Sequence, residues 1–359
     1  MRPTFLRIDL DAVRNNAKEA RFCAPESKML ACVKANAYGH GIALVAEAIE
    51  SEVDGFGVAN LDEGLSLRAA GIRKPVLLLE GLFEKEELET AIVEKFSLTI
   101  HSQHQIDMLI GCDSSDAITV WLKMDTGMHR LGFSPSEYIS AYRALAQIPC
   151  VKEIVLMTHF ACADDLQDEL TLRQIDRFNS TTQGLAGARS LANSSAILAW
   201  KQSHMDWIRP GFMLYGLNPV SGYQVAAEGL IPAMEMLSEV VAVREINAGE
   251  SVGYSQSWTA KRDSRIAVIA LGYGDGYPRN TLSGTPVLVD GQLAQSVGLV
   301  AMDMMMVDVT ELPSAGIGSP VELWGKNLSI NKVAENSGFS PYELMTRLPD
   351  RLPRIYLKS

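Results

Sequence analysis

Eight short apolar runs recur through the first two thirds of the chain, and this alternation limits the possible folds more than any other feature. Most of the runs are separated by stretches with a helical pattern, such as residues 40–51, 62–70 and 85–95. The runs span residues 28–33, 55–60, 75–81, 97–102, 118–125, 153–160, 190–196 and 205–216. Strands that alternate with helices predict an α/β fold, and eight of them predict a parallel (β/α)₈ TIM barrel over residues 1–222.

An open, doubly wound sheet is the competing interpretation of the same alternation. Such a sheet usually carries a glycine-rich phosphate turn after its first strand, and the segment Lys34-Ala35-Asn36-Ala37 is not one. The closed barrel is therefore the favoured prediction for this part of the chain.

The last part of the chain has a different pattern. Strand-like runs follow one another without long helices, and Gly, Pro and Asp turns separate them. These runs span residues 240–246, 265–271, 286–289, 296–309 and 320–324, and a helical stretch follows near 341–348. We expect a smaller, mainly β domain over residues 223–359.

The charge and the cysteine content argue against several classes of protein. The 32 basic and 43 acidic side chains give a net charge of −11, which disfavours nucleic acid or an anionic membrane surface as a main partner. The first residues lack a signal core, and no stretch reaches the roughly 20 apolar residues that cross a bilayer. Five scattered cysteines without a C-x-x-C pair predict neither a disulfide framework nor a zinc ribbon, so we expect a cytoplasmic protein.

Residues suited to catalysis follow the predicted strands at their C-terminal ends, where barrel enzymes place their active sites. Lys34 follows the first strand, where partial desolvation would favour a neutral amine that can form a Schiff base. The alternative for Lys34 is an ordinary surface lysine in a strand-to-helix loop. The others are Lys123, Asp125 and Arg130 after the fifth strand, His159 at the end of the sixth, Asn193 and Ser194 at the end of the seventh, and Arg209, Pro210 and Gly211 on the eighth.

The ends of the seventh and eighth strands are the usual phosphate site of such barrels. Small residues in 193–195 and 210–212 would let backbone N–H groups and a serine hydroxyl approach phosphate oxygens. Ordinary turn chemistry is the alternative. Arg209 needs a partner in the core, either a ring nitrogen that accepts a hydrogen bond or a carboxylate such as Asp206.

His159 has a metal alternative, because Cys162 and Asp164 follow it closely. The spacing fits no common zinc site, so no metal is expected and a metal-dependent barrel hydrolase is the weaker interpretation. In the β domain, the glycine-rich segment 272–278 lacks the Lys-Ser/Thr pair of a nucleotide loop and predicts a turn. By itself Tyr254 is typical of a hairpin aromatic, and Asp303 at the end of an apolar run needs a partner.

Taken together, these segments resemble the bacterial alanine racemases, a fold-type III family that depends on pyridoxal 5′-phosphate (PLP). The resemblance runs from Ile8 to Arg354 and is most specific in segments 33–41, 123–132, 208–216, 252–254, 272–279 and 302–303. The chain length resembles that of the shorter, catabolic type. Ala301 and Thr346 depart from the pattern, since many relatives have cysteine there, and this affects only the pocket wall and the sensitivity to thiol reagents.

The resemblance implies a role for each conspicuous residue. Lys34 would bind PLP covalently and act as one base, and Tyr254 of the partner subunit would be the opposite base. His159 would neighbour that tyrosine and contact Arg209, which would donate a hydrogen bond to the pyridine nitrogen. The remaining residues implied are Tyr38, Asn193, Ser194, Gly211, Phe212 and Tyr342 at the cofactor, Arg130, Met302 and Asp303 at the substrate, and Lys123 as a carbamylated lysine.

The resemblance therefore implies a cytoplasmic, homodimeric isomerase that interconverts L- and D-alanine by a two-base mechanism. The β domain would supply Tyr254 and Met302 to its partner's active site, and D-alanine would serve as a peptidoglycan precursor or enter alanine catabolism. Three other kinds of PLP protein stay open: a racemase for serine, lysine or arginine, a barrel-type decarboxylase, and a non-catalytic PLP-binding protein. Decarboxylases usually place a carboxylate at the ring nitrogen, and the non-catalytic proteins are generally a barrel alone, so Arg209 and the β domain oppose the last two.

Overall fold

The computed structural model describes residues 2–112, 117–220 and 225–358, and the chain divides into two compact units. The barrel unit comprises Ala12–Ala37 and Gly41–Ile231, and the β unit comprises Met1–Asp11, Tyr38–His40 and Pro232–Ser359. The predicted boundary between residues 222 and 223 lies outside the described residues.

Eight parallel strands close into a barrel in the barrel unit. Neighbouring strands pair in parallel, and the eighth strand closes the ring on the first where Ile208 pairs with Met29. In chain order the strands span Lys28–Cys32, Gly55–Val58, Val76–Leu78, Phe96–Ile100, Ile118–Lys123, Val151–Met157, Arg189–Ser190 and Trp207–Ile208. Most of their residues are buried, as expected of a parallel sheet that is covered by helices. The predicted barrel is confirmed, and the open doubly wound sheet is wrong.

Helices connect the barrel strands. The helix Leu10–Cys23 precedes the first barrel strand, and the connecting helices span Ile42–Ile49, Leu61–Ala69, Glu87–Val93, Gln103–Leu109, Pro135–Ala146, Leu170–Thr182 and Ser194–Ala199. One of them begins with a complete capping box, in which the Glu137 carboxylate accepts the Ser134 N–H at 3.1 Å and Pro135 is the first helical residue.

The last two barrel strands are shorter than predicted. The predicted strand over 190–196 is wrong beyond Ser190, because the Asn193 side chain accepts the Ala196 N–H at 3.1 Å and caps the helix that begins at Ser194. The predicted strand over 205–216 is wrong beyond Ile208, because the backbone turns at Gly211 into a 3₁₀ helix over Phe212–Tyr215. Arg209 therefore follows the eighth strand instead of lying on it.

The β unit is built on an eight-stranded sheet, which confirms the predicted mainly β domain. Its longest strand, Met234–Ile246, pairs antiparallel with Phe5–Asp9, Ser264–Ile269 and Pro320–Trp324. In its core the rings of Tyr277 and Trp324 stack with centroids 6.0 Å apart. The remaining elements are the strands Pro286–Val289, Gln292–Val297, Met305–Asp308 and Arg354–Leu357, the hairpin of Ser251–Val252 with Trp258–Thr259, and the helices Ile330–Glu335 and Pro341–Thr346.

The predicted single strand over 296–309 is wrong, because a loop separates two strands there. Gly298 follows the first of these strands with a φ of +72°, a left-handed conformation that glycine adopts at no steric cost. The loop then folds back on itself, since the Ala301 N–H donates to the Met304 carbonyl at 2.9 Å. Met302 and Asp303 therefore lie in an exposed loop instead of at the end of a strand.

Candidate active site

Four cationic side chains converge at the C-terminal ends of the barrel strands. Lys123 is buried there, and burial lowers its pKa to about 8, with further lowering by the charges of Arg130, Arg209 and Lys34. Lys34 is half-buried, and Arg130 is exposed. Because cations this close repel one another, this end of the barrel is suited to a negatively charged ligand.

Arg209 is buried, and neutral groups hold its guanidinium. Its Nη1 donates to Ser190 Oγ at 2.5 Å, and its Nη2 donates to the carbonyls of Thr158 and Leu191 at 2.7 and 3.2 Å. Burial lowers its pKa to about 10, so it stays protonated at neutral pH. Asp206 is not among its partners within the described residues, and the Asp206 carboxylate instead accepts the Arg189 N–H at 2.7 Å. Within the described residues the Nε–H of Arg209 makes no hydrogen bond and can serve an acceptor on a ligand.

Burial and the charges of its neighbours hold His159 in its neutral form. Burial lowers its pKa well below the usual value, and the charge of Arg209 lowers it further. Nη2 of Arg209 lies 3.3 Å from His159 Nδ1. An arginine can only donate, so Nδ1 is the acceptor and the ring proton is on Nε2. The imidazole therefore presents an Nε2–H donor to whatever lies beyond it.

Ser194 joins the two loops that were predicted to bind phosphate. Its Oγ accepts the backbone N–H groups of Gly211 and Met213 at 2.9 and 3.3 Å. A hydroxyl has two acceptor sites and one proton, so its O–H stays available to donate to an anion. Phe212 lies between these two N–H groups, whereas the Asn193 side chain is used as a helix cap.

Lys34 leads into a left-handed turn that is built without glycine. Ala35, Asn36, Ala37 and Tyr38 have φ values of 51°, 54°, 54° and 51°. This conformation costs roughly 1–2 kcal/mol per residue, so other contacts must hold it. Glu63 supplies one of them, since its Oε1 accepts the Ala35 N–H at 2.6 Å, while its Oε2 accepts the N–H of Ala59, after the second barrel strand, at 2.7 Å. Strained backbone of this kind concentrates at functional sites.

Changing Glu63 to Gln should loosen this turn, because the amide keeps one acceptor but turns its NH₂ group towards a backbone donor. We expect the Tm to fall by about 3 °C, the shift that a loss of about 1 kcal/mol produces in a domain of this size. The matched control is Glu94→Gln, since Glu94 lies 3.8 Å from Arg68 at the surface of the same unit and should shift the Tm by less than about 1 °C. Equal shifts in calorimetry would contradict a role for Glu63 in holding the turn.

Asp125 shapes the loop that leads to Arg130. Its Oδ1 accepts the backbone N–H groups of Gly127, Met128 and His129 at 2.9, 3.1 and 3.0 Å. Burial alone would raise the pKa of Asp125, but these hydrogen bonds lower it overall. Asp125 is therefore a structural residue of the loop.

The other predicted residues lie in the β unit. The rings of Tyr38 and Tyr342 are tilted by 47° with centroids 6.2 Å apart. Tyr254 is 65% exposed, and Met302 is 54% exposed in the loop described above. The Asp303 carboxylate accepts Arg351 Nη2 at 2.6 Å, which lowers its pKa.

Three residues beside these groups were missed by the sequence analysis. Cys32 ends the first barrel strand, where burial raises its pKa against the charges of Lys34 and Arg209. His101 follows the fourth strand, and burial and the charge of Lys123 lower its pKa. Both stand at strand ends, a signal that could have found them. Gln174, in the middle of a helix, carries no such signal, yet its Nε2 donates to Thr126 Oγ1 at 2.9 Å and to the His159 carbonyl at 3.1 Å.

The structure was also searched for a metal centre and for membrane spans. Nowhere in the described chain do three or more His, Cys, Asp or Glu side chains lie close enough together to hold a metal ion. No helix within residues 2–112, 117–220 and 225–358 is long and apolar enough to cross a membrane.

The chain is similar to known proteins over nearly its full length. The family model of the alanine racemase N-terminal domain matches residues 8–219, and that of the C-terminal domain matches residues 233–356. An alanine racemase of Shewanella amazonensis is 49% identical over 351 residues, which are 96% of each chain. A catabolic alanine racemase of Pseudomonas putida is 46% identical over 357 residues, 99% of each chain.

Two solved structures also match the chain over nearly its full length. The biosynthetic alanine racemase from Pseudomonas aeruginosa has a TM-score of 0.97 and 44% identity, with 100% of each chain covered. The alanine racemase from Bartonella henselae, solved with covalently bound pyridoxal phosphate, has a TM-score of 0.92 and 28% identity, with 99% of this chain and 100% of that chain covered.

Proposed function

This chain belongs to the alanine racemase family, and from that premise we propose that Lys34 of one subunit and Tyr254 of its partner are the two bases of the reaction. The enzyme interconverts L- and D-alanine and depends on PLP. The observation that carries the assignment of Lys34 is its position after the first barrel strand, where its charge acts on both Lys123 and His159.

The donors at this end of the barrel fit PLP. The Nε–H of Arg209 can donate to the pyridine nitrogen, and the Ser194 hydroxyl can donate to a phosphate oxygen. Gly211 and the backbone of Phe212 border the same point, and Tyr38 and Tyr342 are the proposed phenolic donors to the phosphate. When bound, PLP draws electron density away from the Cα of alanine and so makes the Cα–H acidic.

Racemisation requires a proton to leave one face of Cα and another to arrive on the opposite face. Bases on both faces achieve this without turning the substrate, and we assign Lys34 to one face and Tyr254 of the partner subunit to the other. The Nε2–H of His159 would stabilise the phenolate of that tyrosine by donating a hydrogen bond to it. As a donor, Arg209 would keep the ring nitrogen unprotonated, and this would favour return of the proton to Cα over transamination.

The substrate carboxylate is the proposed ligand of Arg130 and of the backbone of Met302 from the partner, with Asp303 at the entrance. Lys123 is the proposed carbamylated lysine. Its pKa of about 8 leaves part of the amine neutral near physiological pH. The neutral amine can add CO₂ and release a proton, and the resulting anion would offset the charge of Arg130.

Subunit complementation tests the shared site. Lys34→Ala and Tyr254→Phe should each be nearly inactive alone, since each homodimer lacks one base at both sites. After mixing, about a quarter of the wild-type specific activity should return, because half of randomly paired dimers are hybrids with one intact site of two. No recovery, when a tagged chain proves that subunits exchange, would rule out a site that two chains share.

We also propose that the homodimer works in the cytoplasm. A catabolic and a biosynthetic relative match this chain almost equally well, at 46% and 44% identity. The catabolic type therefore stays a prediction, as does the destination of D-alanine in peptidoglycan or in catabolism.

A further inference from the structure

The glycine-rich segment that begins at Gly272 packs its backbone directly against the loop 301–304. The N–H groups of Tyr273 and Gly274 donate to the carbonyls of Ala301 and Met302 at 3.0 and 2.8 Å. A Cβ at position 272 would collide with both of these carbonyl oxygens, so only glycine permits the approach. The segment that begins at Gly272 therefore supports the loop 301–304, and we call this segment the platform.

Asp275 in this platform is a buried carboxylate that two arginines hold. Its side chain is 1% exposed and accepts Arg2 Nη1 at 2.5 Å, Arg2 Nη2 at 2.8 Å and Arg351 Nε at 3.0 Å. It also accepts the N–H of Gly272 at 2.9 Å. A carboxylate with four such donors is fully satisfied, and removing its charge would leave two cations without their shared partner.

The same two arginines continue to the loop. Arg2 Nη2 donates to the Asp303 carbonyl at 2.7 Å, and Arg351 Nη2 donates to Asp303 Oδ1 at 2.6 Å. The Asp275 side chain makes none of these bonds to the loop itself. It holds the two guanidinium groups, of Arg2 and Arg351, that make them. The loop in turn presents Met302 and Met304 to solvent, with 54% and 48% of their surface exposed.

We propose that Asp275 is a positioning residue, which acts through Arg2 and Arg351 to fix the loop 301–304 where it meets the partner's substrate. This inference rests on the proposed function, in which the backbone of Met302 binds the substrate carboxylate at the other subunit. A backbone donor must be placed to within a fraction of an ångström, and misplacement weakens binding of the carboxylate.

Asp275→Asn tests the proposal, because the shape is kept and the charge is lost. We expect KM for L- and for D-alanine to rise about tenfold and kcat to change less than about threefold, as for the loss of one well-placed hydrogen bond to substrate. The visible spectrum of the bound cofactor should not change. Arg2→Gln, at an exposed residue that should not impair folding, should shift KM in the same direction by a smaller factor.

The matched control is Glu235→Gln in the same unit. Glu235 is also buried and pairs with an arginine, Arg7, at 3.2 Å, but it has no bond to the loop. KM should stay at the wild-type value in this variant. A KM shift as large as that of Asp275→Asn would mean that any lost ion pair in the unit has this effect, and would overturn the proposal.

Hybrid dimers then show which subunit Asp275 serves. In the complementing mixture, the Lys34→Ala chain supplies Tyr254 to the intact site. Adding Asp275→Asn to that chain should raise the KM of the recovered activity about tenfold, and adding it to the Tyr254→Phe chain should leave KM unchanged.

The outcomes separate this inference from the proposed function. An equal effect from either chain, a fall in kcat at constant KM, or no effect would overturn the role of Asp275 and leave the shared site intact. Absence of any recovered activity before Asp275 is changed would overturn the shared site, and the role of Asp275 with it.

Discussion

Changing Lys34 to Ala should reduce alanine racemisation by about 10⁵-fold, because one substitution removes both the covalent anchor of the cofactor and one of the two bases. In the wild-type enzyme, borohydride reduction followed by peptide mapping should place the cofactor on Lys34. Racemisation can be followed in both directions by polarimetry or by a coupled assay for D-alanine.

Lys28→Ala is the matched control for this change. Lys28 begins the same strand at its opposite, exposed end and lies 5.4 Å from the centroid of the Trp207 ring. Its loss should change activity less than about twofold, since surface contacts of this kind contribute little. Lys123 is the other lysine of the site, and a label on Lys123 instead of Lys34 would end the assignment.

Changing Tyr254 to Phe should lower racemisation by about 10³-fold, the contribution typical of a general acid–base residue. The loss should differ between the two enantiomers of alanine. Lys34 would still remove and return the proton on its own face of Cα, so one enantiomer of alanine should exchange its Cα proton with deuterated solvent without inverting. Proton NMR of each enantiomer in deuterium oxide measures this difference.

Tyr356→Phe is the control, because Tyr356 is a half-buried tyrosine of the same unit outside the proposed site. It should leave racemisation and exchange within about twofold of wild type. If Tyr254→Phe slowed the exchange of both enantiomers equally, the tyrosine would be a binding residue and the two-base assignment would be wrong.

The barrel could be predicted from the sequence because its strands are short, apolar and evenly separated by helices. Its last two strands could not be bounded, since apolar residues recur through 190–198 and 205–217 although the backbone leaves the sheet. The Asn193 side chain ends the first of these strands by a local cap, since it accepts the Ala196 N–H. After the second strand, the Ser194 hydroxyl accepts the N–H groups of Gly211 and Met213, and these residues meet Ser194 only after folding. The strand predicted over 296–309 failed for a similar reason, because an apolar loop containing Met302 and Met304 has the composition of a strand.

The chemistry of the site could be predicted only in part. Strand ends indicated Lys34, Lys123, His159 and Arg209, and the structure brings these residues together. The left-handed turn after Lys34 had no signal, since alanine rarely adopts that conformation and the contacts to Glu63 that stabilise it come from another strand-to-helix connection. The tautomer of His159 likewise follows from the guanidinium beside it and not from its sequence neighbours.

The strand Phe5–Asp9 pairs with Met234–Ile246 on one side and with Arg354–Leu357 on the other. The ribosome therefore makes one of the first strands of this sheet long before either neighbour. Every strand of the barrel is translated before residues 354–357, and the backbone of residues 5–9 must wait for those residues to complete its pairing. Nascent chains carry this strand unpaired while the whole barrel is being made, and it is a segment through which chaperones or aggregation would compete with folding.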